Sequence, residues 1–223
     1  MPISHKLKTI FIHIPKNAGE SIENALEIYG MEENDPTKRF WGVINNSIVL
    51  QHLTANDLKN NLSDDIWKNY FKFVVVRNPW SKAVSEYNWY LRYGPKISFI
   101  NWSKSLFYRL KINSMIHILE TGHNLEQYKF IFDNNGQKLI DKVIYFENLS
   151  RDFKEISQKN SWNIKLPHLE STKSKDKRDW RSFYCENSLD IIGEIYKKDI
   201  ELFGYSRQKT FENFKVPKDP VLY

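Results

Sequence analysis

Apolar residues along this 223-residue chain follow two rhythms: short unbroken runs, and longer stretches with an apolar position every three or four residues. Residues 9–14, Thr-Ile-Phe-Ile-His-Ile, form the first run and predict a strand. Residues 19–29 follow as an amphipathic helix, with Ile22, Ala25, Leu26 and Tyr29 on one face. Residues 31–46 read as a polar loop and 48–50 as a short strand. Thr54-Ala55-Asn56-Asp57 and Ser63-Asp64-Asp65 each open a further helix. The run 71–76 is continuously apolar apart from Lys72, as a parallel strand buried on both faces requires. Asn78 then suits a helix N-cap and Pro79 the first helical position of a helix over 79–92.

The second half is less regular. Residues 94–122 are predicted helical and rich in aromatics. Strands over 127–132 and 142–146 flank the turn Asp133-Asn134-Asn135-Gly136. A helix over 149–158 leads to a Lys-rich loop over 167–177. A long helix over 182–203 carries Leu189, Ile192, Tyr196, Ile200 and Phe203 on one stripe and stops at Gly204. Strands alternating with helices predict an α/β fold with a central parallel sheet flanked by helices. A single domain is expected over 1–206, with a tail over 207–223.

Composition narrows the class. Hydrophobic residues at 41%, aromatics at 15% and seven Trp exclude a disordered chain. The lone cysteine, Cys185, permits no intrachain disulfide, and no apolar run approaches the ~20 residues of a membrane helix. With no leader-like start, these features lead us to expect a cytoplasmic protein without an integral membrane segment. The net charge of +6 suits an anionic ligand, although solvated lysines give the same excess. Basic residues interleaved with aromatics occur only near Lys173 to Arg181, so nucleic acid is not an expected partner. No His, Cys or carboxylate spacing suits a metal, so none is expected.

Chemistry concentrates at two strand–helix junctions. At the first, the run ends at Pro15-Lys16 and passes through Asn17-Ala18-Gly19 into the helix. Backbone N–H groups of such a turn, the helix start and the Lys16 ammonium can converge on one anion. The order differs from a Walker A loop, because here the Lys precedes the Gly. At the second junction, Arg77 ends the strand and Ser85 lies two turns along the helix, a spacing that brings both to one side. Guanidinium and hydroxyl together form a second phosphate clamp.

Ile12-His13-Ile14-Pro15-Lys16-Asn17-Ala18-Gly19-Glu20-Ser21 resembles the 5′-phosphosulfate loop of carbohydrate sulfotransferases of the heparan sulfate 2-O-sulfotransferase type. Arg77-Asn78-Pro79-Trp80-Ser81-Lys82-Ala83-Val84-Ser85 resembles the same family's 3′-phosphate motif. Phe146-Glu147-Asn148-Leu149, Leu166-Pro167-His168-Leu169 and Asp199-Ile200-Glu201-Leu202-Phe203-Gly204-Tyr205 extend the likeness to nearly the whole chain. The resemblance implies a P-loop NTPase-like sulfotransferase fold. It also implies 3′-phosphoadenosine 5′-phosphosulfate (PAPS) as donor, its diphosphate (PAP) as product and a glycan or other hydroxyl-bearing acceptor. Donor binding is expected from Lys16, Asn17, Ala18, Gly19, Ser21, Arg77 and Ser85, joined by Lys173 and Arg178 from the basic loop. Family loops often have Thr where Asn17 and Glu20 stand; Glu20 reads as a first-turn acid suited to the helix dipole and is left out.

Lys16 is expected to stabilise the leaving group as charge builds on the 5′-phosphate. His52 is the candidate base. It follows the strand 48–50, which would place it at the carboxyl edge of the sheet, and Gln51-His52-Leu53 aligns with the family's base position. The alternative is a His bonded to its own loop. His13, inside the first strand, is expected to be packed or to face a neighbouring helix. Glu147 reads either as an aid to the site or, preferably, as a buried tie between helices. Trp180 either stacks adenine or anchors the core. Trp89, Tyr90, Arg92, Tyr93, Trp102 and Tyr108 are expected to flank the pocket mouth. Two other readings stay open: a kinase-like P-loop enzyme, and a non-catalytic nucleotide-binding module.

Overall fold

The computed structural model describes residues 2–28, 43–44, 48–112, 122–167 and 178–219. In chain order the helices and strands are β1 (Ile3–Ser4), β2 (Thr9–Ile12), α1 (Gly19–Ala25), β3 (Val43–Ile44), β4 (Ile48–Val49), α2 (Ala55–Asn61), α3 (Asp64–Asn69) and β5 (Phe71–Val76). They continue with α4 (Pro79–Tyr93), α5 (Phe99–Phe107), β6 (Lys142–Tyr145), α6 (Leu149–Lys159), α7 (Glu186–Ile195), α8 (Lys197–Leu202) and α9 (Arg207–Thr210). These form two compact units, one of residues 1–77 and 118–170, the other of 78–117 and 171–223.

The first unit is α/β. Its four-stranded sheet has the order β1-β2-β5-β6. β2, β5 and β6 run parallel, as the continuous apolar run of β5 predicts for that strand, while β1 pairs antiparallel with β2 through Ile3–Ile10 and Ser4–Thr9. The sheet is therefore mixed, correcting the all-parallel expectation; two residues ahead of the first apolar run carry too little pattern to be read as a strand. Phe11, Phe73, Val75 and Ile144 from the sheet bury against Ile22 of α1, Leu26 at its C-terminal end, and Phe153 and Ile156 of α6. Parallel pairing sets the carboxyl ends of β2, β5 and β6 along one edge, with Val76 opposite Tyr145.

Local signals held well here. Thr54 and Asp57 form the reciprocal capping box of α2, and Ser63 caps α3. Two elements differ. The short strand near residue 48 joins β3 in a separate two-stranded sheet, not the central one. Residues 127–130, expected as a strand, form a 3₁₀ turn, and only Phe132 pairs extended, with Lys138 across the turn at Gly136. A four-residue apolar alternation suits either form, and here Gln127 is drawn inward by hydrogen bonds described below.

The second unit is helical. Asn78 Oδ1 accepts from the N–H groups of Trp80 and Ser81, and Pro79 opens α4 as predicted. Trp80, Tyr87, Trp102, Tyr184 and Ile192 fill its core. Tyr184 donates to the Trp80 carbonyl at 2.9 Å, and burial pushes its hydroxyl well above the ordinary tyrosine range. The long helix expected over 182–203 is interrupted: a 3₁₀ turn at Trp180–Phe183, then α7, a break at Tyr196, then α8. Gly204, at φ 70°, ends it in the left-handed conformation that favours glycine. α5 runs into a π-helical turn at Tyr108–Ile112.

Residues 207–219, expected as part of a tail, begin with α9 and bury Phe211 at 8% exposure. Its ring lies edge-on to Trp80, Trp180 and Tyr184 at 5.5–6.1 Å. Phe211→Ala should lower the unfolding free energy by about 3 kcal/mol, the usual cost of emptying an aromatic site. Denaturant titration measures it, and a loss near zero would show that this ring does not hold the second core together.

Candidate active site

Three chain segments leave the aligned carboxyl edge of the first unit. His13 follows β2, Arg77 follows β5 and Phe146 follows β6. The loop after β2 turns sharply because Lys16 and Ala18 both adopt left-handed backbone, at φ 66° and 63°. Neither is glycine, so the turn stores roughly 1–2 kcal/mol per residue that the surroundings must offset. Ala18 is the N-cap of α1 and supplies no side-chain acceptor to the helix's first N–H groups.

Gly19 is required for a different reason. A Cβ there would lie 1.7 Å from His13 Nε2. Its φ is not left-handed, so the demand is for space and not for conformational freedom. The sequence shows a glycine in a turn; only the structure shows that a buried histidine ring occupies the room a side chain would need.

Asn17 is fully buried and fixes the loop from beneath. Its Nδ2 donates to the Val75 carbonyl at 2.8 Å and to Gln127 Oε1 at 2.7 Å. Both amide hydrogens are thereby used. This corrects the expectation that the Asn17 amide donates to an anion: it ties the loop to β5 instead.

Gln127 completes the tie. Its Oε1 also accepts from the Arg77 backbone N–H at 2.9 Å, and its Nε2 donates to the Arg77 carbonyl at 2.8 Å. A buried side-chain amide thus substitutes for a neighbouring strand at the point where β5 ends. Nothing in the sequence distinguished Gln127 from other polar residues.

Arg77 reaches the first loop: its Nη1 donates to the Lys16 carbonyl at 3.0 Å. The guanidinium also lies 4.1 Å from the centre of the Phe146 ring, which holds it flat. Phe146 belongs to a stretch singled out in the sequence, and its contact with Arg77 gives that stretch a physical role. Lys16 and Arg77, chosen from separate motifs, are therefore neighbours within one unit.

His52 ends a 3₁₀ turn at Leu50–His52 and is half-buried. Its Nδ1 lies 3.1 Å from the His13 carbonyl. A carbonyl only accepts, so Nδ1 carries the hydrogen and the lone pair of the neutral ring sits on Nε2, as a general base needs. His52 reaches the edge of the central sheet through this bond, not by extending one of its strands. The ring is 4.6 Å from that of His13 and 5.3 Å from that of His123, both edge-on.

The remaining predicted residues separate. Ser21 is half-buried on α1 and Glu20 is exposed in its first turn. Ser85, half-buried on α4, and Arg178, exposed with its guanidinium 4.6 Å from the Phe183 ring, belong to the second unit. Lys173 lies outside the described residues, as do His168 and the rest of the basic loop through residue 177. Glu147, expected as a buried tie, is exposed at the end of β6, where a 3₁₀ turn carries it outward. Trp180 packs on the second core beside Tyr184 and Phe211. Trp102, expected near a pocket mouth, is buried in that core, whereas Trp89, Tyr93 and Tyr108 are exposed. Among the described residues, no group of three or more His, Cys, Asp or Glu side chains could hold a metal ion, and no helix is long and apolar enough to cross a membrane.

Replacing Gln127 by Leu leaves the Arg77 N–H and carbonyl without their amide partners and removes one acceptor from Asn17. The expected cost is about 3 kcal/mol, from buried polar groups left unsatisfied. Equilibrium unfolding reads this directly; a variant as stable as the parent would show that the amide bridge is not holding the loop.

An uncharacterized protein of Archaeoglobus fulgidus is 29% identical over 104 residues, covering 46% of this chain and 77% of the relative. No solved structure matches the chain. The sequence model of the sulfotransferase family matches residues 1–206, and with that span covering most of its length the chain belongs to the sulfotransferase family.

Proposed function

We propose that the protein transfers a sulfuryl group from PAPS to a hydroxyl of an acceptor, a carbohydrate, by in-line displacement, releasing PAP. The observation that carries this reading is the hydrogen bond from Arg77 to the Lys16 carbonyl, which joins the two phosphate-binding motifs at one sheet edge. A donor with a phosphate on the 3′ oxygen of its ribose and a phosphosulfate on the 5′ oxygen needs two cationic grips close together. The strand–loop–helix after β2 also supports a P-loop NTPase-like fold for residues 1–206.

Lys16 and the backbone N–H groups around Ala18 and Gly19 would bind the 5′-phosphosulfate, with Ser21 beside them. Arg77, with five N–H donors, can keep its bond to the loop and still meet a phosphate. The family resemblance assigns Ser85, Lys173 and Arg178 to donor binding as well. His52 Nε2 takes the acceptor proton as the acceptor oxygen bonds to sulfur. The bond between sulfur and the 5′-phosphate oxygen breaks, and its electrons leave with that oxygen, where Lys16 stabilises the new charge. No step needs a metal. The exposed rings of Trp89, Tyr93 and Tyr108 offer faces of the kind on which sugar rings pack, and they support a glycan acceptor. The single buried Cys185 suits a reducing cytoplasm.

PAP should raise the melting temperature without added metal, and by more than ATP with Mg²⁺. Labelled sulfate from PAPS should appear on a polysaccharide panel. Lys16→Ala should lower kcat by about 10²–10³-fold while the protein stays folded, since one preorganised charge on a leaving oxygen is worth that much. Preferential stabilisation by Mg·ATP would support a kinase-like enzyme instead, and PAP binding without any transfer would support a binding module.

A further inference from the structure

A buried carboxylate lies behind the proposed base, and the mechanism above does not use it. Glu23 projects from α1 with its side chain 12% exposed. Its Oε1 accepts from His13 Nδ1 at 2.7 Å, and its Oε2 accepts from Gln51 Nε2 at 2.9 Å. One oxygen therefore holds the segment that follows β2, and the other holds the turn that carries His52.

These bonds close a circuit. From Glu23 it runs to Gln51, through the chain to His52, from His52 Nδ1 to the His13 carbonyl, and from the His13 ring back to Glu23. The His13 ring, oriented by the carboxylate, also presses Nε2 against the Cα of Gly19 and so meets the anion loop. An open chain of hydrogen bonds could swing; a closed one fixes the angle and the tautomer of every ring in it.

Keeping a carboxylate in this place costs desolvation that an apolar side chain of α1 would avoid. Packing alone does not call for it, since Ile22 and Leu26 already cover the sheet from this side. Positional control does. Resting on the reading of His52 as the base, we propose that Glu23 is a positioning residue that sets the His52 ring against the Lys16 loop, acting through His13 and Gln51.

A double-mutant cycle separates this role from simple stabilisation. Glu23→Gln should lower kcat about tenfold while the donor KM moves by less than about twofold, because the bound donor is held elsewhere. In a His52→Ala background, Glu23→Gln should lower kcat no further, since its effect passes through the missing ring. Adding Gln51→Glu to Glu23→Gln restores an acceptor for the amide introduced on α1 and should recover most of the lost turnover. Should Glu23→Gln fail to fold, Gln51→Ala, at a half-buried position, carries the same test: a loss in the parent and none in the His52→Ala background. Wild-type kcat in Glu23→Gln, or an equal fold loss in both backgrounds, overturns the proposal alone. Wild-type kcat in His52→Ala overturns the base assignment itself, and this role falls with it.

Discussion

The site depends on one amide. Gln127 sits where β5 runs out and uses both ends of its side chain, holding the Arg77 backbone on two sides and Asn17 on a third. Without it, the backbone at Arg77 would lose its amide partner just where the chain leaves the sheet, and Asn17 would lose one of the two acceptors through which it ties down the loop bearing Lys16. Buried polar groups of this kind are costly when one partner is missing, so the cluster is kept whole or lost together. The Arg77 guanidinium, flattened on Phe146, then reaches back to the Lys16 carbonyl. The side chain of one residue thus reaches the backbone of another 61 positions away, and the two charged residues share one edge of the sheet.

Preorganisation has a local cost here. Lys16 and Ala18 adopt left-handed backbone without being glycine, and the one glycine of the loop is spent on making room for His13. Strain in a loop buttressed from beneath by Asn17 and from the side by Arg77 is what a fixed anion site would require. The bonds that offset it come from β5 and the Gln127 turn, so sheet and loop are parts of one device in the first unit.

Much of this was legible in the residues themselves. The apolar run at 71–76 specified β5 to the residue, and Asn78-Pro79 marked the start of α4, because period and capping are local properties. Lys16 and Arg77 stood out because each closes such a run with a charge. What stayed hidden was long-range. Gln127 is 50 residues from Arg77 in sequence, and nothing in its own neighbourhood signals that it is buried. Asn17 was read correctly as a loop residue but with its amide facing the wrong way, since its direction depends on Val75 and Gln127. His52 was placed at the right edge for the wrong reason: β4 lies in a second small sheet, and the His13 carbonyl does the placing. Phe211 looked like part of a tail because one aromatic between polar residues has no period of its own.

A crystal structure of the protein with PAP tests the central claim most directly. The account predicts the 5′-phosphate within about 3 Å of the Lys16 ammonium and the N–H groups at Ala18 and Gly19, with the 3′-phosphate on the Arg77 guanidinium. A nucleotide bound away from this edge, or one that touches Lys16 while Arg77 contacts no phosphate, would contradict it.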